Sequence, residues 1–502
     1  MVDLPPPQVE VATPVARDGT EYVAFTGNSA AIEEVDIRAR VSGFVSQVHF
    51  TDGQRVARGQ PLFTIDERSV LRSRSAGSSV RPLLPASGFA AGDSEAIVAD
   101  ELPVIDLDPQ APAFVRDPYP LYATMRNLGR VVVWRQLGHR CVTRYDDVNA
   151  LLRNRRFGRQ ILHVATREEL GWPPPADHLR PVHEFEQHSL LELEPPRHSR
   201  LRSFVNAAFM PRQVDRLAPR IEHLAHALID GFAGRGSCDV VADYAAPLAV
   251  GVIADFLGVP ADLGPRLLAW SHDMVAIYQA RRDRRTEDRA VAATEQFSSL
   301  MREFVVARRR RPTEDFLSQL VTATDGAGRG LTDDEIVTMG ILLLNAGHEA
   351  TVHAVGNGVR AILDHVPDAA AAVAGNPAGH VEEMLRFDAP LHMFTRYALE
   401  DLEYAGEAFR KGDVIGLLLG AANRDPAKFT DPDAFDATRA PNHHVSFGAG
   451  IHACVGAPLA RVEMQVALRA LFTRLPGMAV SETPRAKDAW HFRGLESLRV
   501  AW

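Results

Sequence analysis

The chain has 502 residues, enough for one large domain or a large one joined to a small one, and its 46% hydrophobic and 24% charged content is that of an ordinary globular protein. Fifty-five Lys and Arg against 64 Asp and Glu give a formal charge of −9, which excludes wholesale attraction to nucleic acid or anionic lipid. Three widely spaced cysteines, Cys141, Cys238 and Cys454, exclude a disulfide framework and predict a reducing, cytoplasmic setting.

In chain order, residues 1–7 show neither a basic nor an apolar run, so no signal peptide is predicted. Residues 1–66 read as β-rich, through Val9, Val11 and Val15, then Tyr22, Val23 and Phe25, then the alternation of Val35, Ile37, Ala39 and Val41. Ser42-Gly43, Asp52-Gly53 and Arg58-Gly59 bracket short strands predicted over 44–50 and 61–65. Ser, Arg, Gly, Ala and Pro without an apolar period make 67–103 a predicted flexible linker. From Val104 to Trp502 the pattern is α+β and mainly helical. Helices are predicted within 213–232, 292–308 and 458–475, and strands near 131–134, 140–143 and 414–419. The most apolar stretches, 247–259 and 339–346, fall short of the roughly 18 residues a membrane span needs.

Thr332-Asp333-Asp334-Glu335 is a capping box, predicting a helix that runs at least to Asp364, roughly 50 Å at 1.5 Å per residue. The strongest local signal is Phe447-Gly448-Ala449-Gly450-Ile451-His452-Ala453-Cys454-Val455-Gly456, followed by a helix. Glycines before and after the cysteine let main-chain N–H groups turn toward its sulfur and stabilise a thiolate, and the helix N-terminus adds positive potential.

This segment resembles the haem-binding loop of the cytochrome P-450 superfamily, and its other marks follow in order over about 400 residues. The resemblance implies a P-450 fold with a long central oxygen-binding helix and small β-sheets, haem b as cofactor, and Cys454 as the axial iron ligand. A thiolate ligand favours O–O cleavage, so the implied activity is monooxygenation of a small, largely apolar substrate. Glu383-Met384-Leu385-Arg386 resembles the Glu-x-x-Arg signature, whose charges lie one turn apart and can pair. Arg424, in Ala422-Asn423-Arg424-Asp425-Pro426, resembles the arginine that joins that network. His198 with Arg202, Arg396 and His452 match the partners of the haem propionates, while Phe447, Gly448 and Gly456 complete the cysteine loop.

Asn345-Ala346-Gly347-His348-Glu349-Ala350-Thr351 resembles the segment that faces oxygen, with Ala346 and Gly347 leaving room for haem and substrate. Glu349 is the expected proton relay. The family's usual threonine falls on Ala350, and the hydroxyl of Thr351 stands about 100° further round the helix. A substrate hydroxyl or ordered water, a helix bulge that brings Thr351 inward, and peroxide-driven turnover each answer that departure. Substrate walls are expected in 160–192, 262–285, Leu391, His392, Met393, Phe394 and 492–495, with His392 and His348 as polar contacts.

No flavin, iron–sulfur or nicotinamide signature follows Cys454. Electrons are therefore expected from a separate ferredoxin-type donor with its reductase, docked on a basic patch including Arg200 and Arg461. Residues 1–66 resemble the opening of periplasmic adaptor subunits of multidrug efflux pumps, through Ile37-Arg38-Ala39-Arg40-Val41-Ser42-Gly43-Phe44 and the run from His49 to Asp66. That is half of a lipoyl-like sandwich, expected to be a fusion relic or a mis-set start. No lysine precedes Lys411, so lipoylation or biotinylation there is excluded. Two alternatives stand beside the monooxygenase reading: a haem-binding sensor, suggested by Ala350, and a non-enzymatic efflux adaptor.

Overall fold

The computed structural model describes the strands Val45–Val48 and Phe63–Ile65 and residues 102–278, 282–487 and 492–502. The chain divides into two units, Met1–Pro85 and Ala86–Trp502. In the first, the two strands pair antiparallel, with Val48 opposite Phe63 and a register shift between Val45 and Gln47. Both fall within the strand ranges predicted from the turn signals. The runs predicted over 9–41 and nearly all of the predicted linker lie outside the described residues.

The second unit is mainly helical with small sheets, as the apolar periods predict. Its largest sheet has six strands in the order Val104–Ile105, Val132–Trp134, His139–Val142, Val414–Leu418, Met393–Ala398 and Phe157–Gly158. A second joins Ala479–Val480, Arg499–Ala501 and Ser237–Asp239. The helix predicted over 213–232 is two, Pro211–Asp215 and Ala218–Asp230. The helix around 292–308 extends further, over Arg284–Arg310, capped by the Asp283 carboxylate on the Thr286 N–H.

One helix organises the core. Asp333–His365 begins at the predicted capping box: Thr332 Oγ1 accepts from the Glu335 N–H at 3.2 Å, and the Glu335 carboxylate accepts from the Thr332 N–H at 3.0 Å. Its 33 residues stay α-helical throughout. It packs against Ala246–Leu257, Arg284–Arg310, Pro377–Phe387 and Ala457–Arg474. Ile336, Ile341, Leu344, Val355, Val359 and Ile362 all sit in the main apolar cluster.

The apolar stretch near 247–259 is longer than the sequence pattern suggests. A π-helical turn, Val240–Ala245, precedes Ala246–Leu257, so Val240–Leu257 is 18 continuous residues of mean hydropathy 1.7 and meets the length and composition of a membrane span. It lies against the long helix with Leu248, Ala249, Ile253, Ala254 and Leu257 buried, which makes it a core element.

Candidate functional site

The cysteine loop is closed by the Cys454 N–H donating to the Phe447 carbonyl at 2.8 Å. Gly448 and Gly450 have φ of 64° and 72°, in the left-handed region that favours glycine. At Gly450 a Cβ would lie 2.4 Å from the Leu152 carbonyl oxygen, so the loop approaches backbone that no side chain could share. Past the sulfur the chain enters the helix Ala457–Arg474, and the N–H groups of Gly456 and Ala457 donate to the Cys454 thiol. Burial pushes the thiol pKa up; those N–H groups, Arg202 and Arg461 oppose it. Cys454 is nevertheless an exposed residue. An exposed yet desolvated thiol lines an internal cleft, where a metal would take it as thiolate.

Beside it lies a buried cationic cluster. His198 and His452 are 4.5 Å apart between ring centroids. Arg202 donates to the Ala453 carbonyl at 2.6 Å, and His452 Nε2 meets Glu194 Oε1 at 3.3 Å. Burial pushes the Arg396 guanidinium down to about 10, with Arg159 adding to the shift. Glu194 is the acid among them. Burial would raise its carboxyl, but His452 and the Arg159 N–H outweigh that and hold it below its ordinary value. His198 is 2% exposed and neither ring nitrogen has a hydrogen-bond partner. Its pKa is pushed down to about 4 by burial, then by His452 and Arg202. Buried polar atoms left unmatched among excess cationic groups fit an anionic guest with two carboxylates, as haem is.

The long helix carries the segment expected to face oxygen. Its centre is buried on all sides except near Ala346, which is exposed, and Gly347 and Ala350, which are half-buried. Small residues there leave space. The helix neither bulges nor widens, and Thr351 Oγ1 donates back to the Gly347 carbonyl at 2.8 Å. Glu349 is buried in a cluster with His272, His348, His353 and Lys487. Burial raises its carboxyl, but the three imidazoles and the ammonium outweigh that and hold it well below the carboxylate range.

Residues 379–480 match the Cytochrome P450 family, and residues 33–132 match the barrel-sandwich hybrid domain of RND membrane-fusion proteins. The chain is 34% identical over 395 residues to the biotin biosynthesis cytochrome P450 of Bacillus subtilis, covering 78% of this chain and 97% of that protein. It is 38% identical over 371 residues to the mycinamicin IV hydroxylase/epoxidase of Micromonospora griseorubida, covering 72% and 89%. The crystal structure of P450BioI in complex with a hexadec-9Z-enoic acid-ligated acyl carrier protein superposes with a TM-score of 0.71 at 34% identity, over 78% of this chain and 99% of that one. The chain belongs to the cytochrome P450 family. It is an oxidoreductase of the monooxygenase class, and haem b is its cofactor.

In this cytochrome P450 the Glu-x-x-Arg pair is fully buried. Arg386 binds Glu383 through two contacts, 2.7 and 2.9 Å, and donates to the carbonyls of Asn423, Pro432 and Ala434. The second guanidinium on Glu383 belongs to Arg439, at 3.3 Å, and Asn442 donates at 3.0 Å. This corrects the placing of Arg424 in that network. Arg424 donates to the Phe387 carbonyl and to Asp433, and its guanidinium lies 3.7 Å from the Phe387 ring and 4.2 Å from Tyr119.

Other expected positions fall differently. His392 Nδ1 pairs with the Tyr122 hydroxyl at 2.8 Å, and Met393 is part of an apolar core cluster. Phe394 is half-buried, and Leu391 bridges to Phe492, which joins two of the expected walls. Arg200 is paired with Glu335 at 2.7 Å, while Arg461 holds Glu382 at 2.6 and 2.9 Å and covers the Phe447 ring at 4.5 Å. Acids of this chain therefore occupy the two arginines of the expected basic patch. Sequence reasoning missed Arg439, Asn442, Glu194, Arg159, His272, His353 and Lys487. His353 had a signal, four residues beyond Glu349 on one helix face.

Proposed function

We propose that this P450 inserts one oxygen atom from O2 into a small, largely apolar substrate, with electrons from a ferredoxin-type donor and its reductase, in the cytoplasm. The observation that carries the reading is the Cys454 thiol receiving the N–H groups of Gly456 and Ala457 at the start of a helix. When bound, thiolate-ligated haem supplies reductive activation of O2.

The chain's own residues hold and serve that group. Phe447, Gly448 and Gly456 shape the loop that presents Cys454. His198, Arg202, Arg396 and His452 would hold the propionates as charge-assisted partners. Ala346, Gly347 and Ala350 leave room on the oxygen side. Glu349 is held ionised, so it would serve the proton route as a fixed acceptor that orders water and the neighbours linking it to solvent, His272, about half exposed, and Lys487, about one-third exposed, and not by taking up a proton itself. With no hydroxyl at position 350, a water or a substrate hydroxyl completes that route. The substrate class is supported by two relatives named 6-deoxyerythronolide B hydroxylase and mycinamicin IV hydroxylase/epoxidase, and by the complex of P450BioI with an acyl carrier protein ligated to hexadec-9Z-enoic acid. The domain assignment that goes with this reading is a β-rich fragment over 1–66, a linker over 67–103 and the monooxygenase over 104–502.

The carbon monoxide difference spectrum of the reduced protein, beside Cys454→Ser, tests the cysteine. A strongly red-shifted Soret band lost in the variant is expected, and an unshifted band in folded wild type would overturn the reading. Product formation with a reconstituted ferredoxin and reductase then separates an enzyme from a haem sensor, and product with peroxide alone identifies a peroxygenase. Removal of residues 1–100 is expected to leave haem binding and turnover intact.

A further inference from the structure

We propose that His272, His348 and Glu349 form a binding site for a divalent transition-metal ion, of which zinc fits best. His272 Nε2 and His348 Nε2 each lie 3.3 Å from Glu349 Oε2, and the three atoms all fall within 4.8 Å of one another. A tetrahedral zinc ion with bonds of about 2.0–2.1 Å sets its ligand atoms about 3.3–3.4 Å apart. Two of the three edges already have that length.

The hydrogen bonding of His348 is the second observation. Its Nδ1 lies 3.2 Å from the Leu344 carbonyl, which only accepts, and 3.4 Å from the Ser271 hydroxyl, which can do either; in the tautomer that donates to the carbonyl, Nε2 keeps a lone pair. That Nε2 is buried, makes no well-directed hydrogen bond, and points at a carboxylate oxygen. In that tautomer the lone pair faces the carboxylate, an arrangement that a cation between them makes favourable. An imidazole that donates its other N–H to a backbone carbonyl is also how metal-ligating histidines are held. His353 and Lys487 occupy Glu349 Oε1 and orient the carboxylate from its far side. His272, about half exposed on the helix Gly264–Val275, opens the site to solvent and leaves room for water as fourth ligand. Two imidazoles and one carboxylate suit zinc and its transition-metal neighbours rather than magnesium or calcium.

The binding does not depend on the monooxygenase reading, but its consequence rests on it. An ion on Oε2 fixes the Glu349 carboxylate and takes it away from the water and neighbours it orders for the proton route, so zinc is a reversible inhibitor of turnover, relieved by chelation. Zinc chloride titrated calorimetrically into the full-length haem-loaded protein is expected to show one equivalent bound at micromolar or tighter affinity. His272→Ala should weaken it about tenfold or more, and His223→Ala, exposed on the helix Ala218–Asp230 and not part of the cluster, should leave it unchanged. His272→Gln replaces the alanine variant if that loses haem. No micromolar binding by wild type, or equal affinity in both His272 variants, overturns the site. Zinc binding that His272 controls but that leaves turnover unchanged keeps the site and overturns the role given to Glu349.

Discussion

Thr351 Oγ1 donates to the Gly347 carbonyl at 2.8 Å, one turn back along an unbroken helix. The hydroxyl nearest to Ala350 is thereby committed to the backbone. Removing it should cost stability of about 0.5–1.5 kcal/mol and leave catalysis alone. Thr351→Ala and Thr351→Val are both expected to keep the wild-type ratio of product formed to reductant consumed. A rise in peroxide release at the expense of product in either variant would show that Thr351 turns inward during turnover.

Gly450 is the position where the cysteine loop meets fixed backbone. An alanine Cβ there would lie 2.4 Å from the Leu152 carbonyl oxygen and 3.1 Å from Arg153 Cα, at a φ of 72°. Gly450→Ala is expected to destabilise by roughly 1–3 kcal/mol and to lower haem retention. Gly477, whose Cβ would meet nothing within 4 Å, is the control. Its alanine variant should stay within about 0.5 kcal/mol of wild type. The ratio of Soret to protein absorbance and the thermal midpoint report both, and equal behaviour of the two variants removes the argument.

The Glu383 network ranks three arginines. Arg386 and Glu383 are both 0% exposed, so Arg386→Met strands a buried carboxylate and is expected to cost about 3–5 kcal/mol. Arg439→Ala leaves that carboxylate its main partner and should cost less. Arg424→Ala loses an ion pair to an exposed Asp433 and its contact with the rings of Phe387 and Tyr119, about 1–2 kcal/mol. Urea unfolding followed at the Soret band measures all three. A loss at Arg424 as large as at Arg386 would extend the network to it.

What could be read from the sequence was what a single turn or loop contains. The capping box at Thr332, the Glu383–Arg386 pair and the loop from Phe447 to Gly456 each place their partners within ten residues, where backbone geometry alone fixes who meets whom. Pairings across the fold were not legible. Lys487 reaches Glu349 from 138 residues away, and Arg461 meets Glu382 from 79 away, through an interface that no local period encodes. Arg439 and Arg424 have the same chemistry in the same stretch, and only packing decides that Arg439 faces Glu383. The helix ending at Leu257 appeared short because Asp239 and Asp243 interrupt the apolar run, yet Asp239 is the cap that starts its first turn.

Glu463 gives a prediction in pH. It sits on the helix that follows the cysteine, 4% exposed, and its Oε1 has no hydrogen-bond partner. Burial pushes its pKa from 4.5 up to about 8. The folded protein keeps this proton up to about pH 8, whereas the unfolded chain releases it near 4.5, so folding takes up a proton between those limits. The carboxyl therefore destabilises the fold increasingly as pH rises through that window, by up to about 1.4 kcal/mol per unit, and the penalty levels off above it. Glu463→Met removes the titration and fills a similar volume. Its stability gain over wild type, from chemical unfolding at a series of pH values, should grow between about pH 5 and 8 and then stay flat. A gain that does not change with pH would mean that the folded protein does not hold a proton on Glu463.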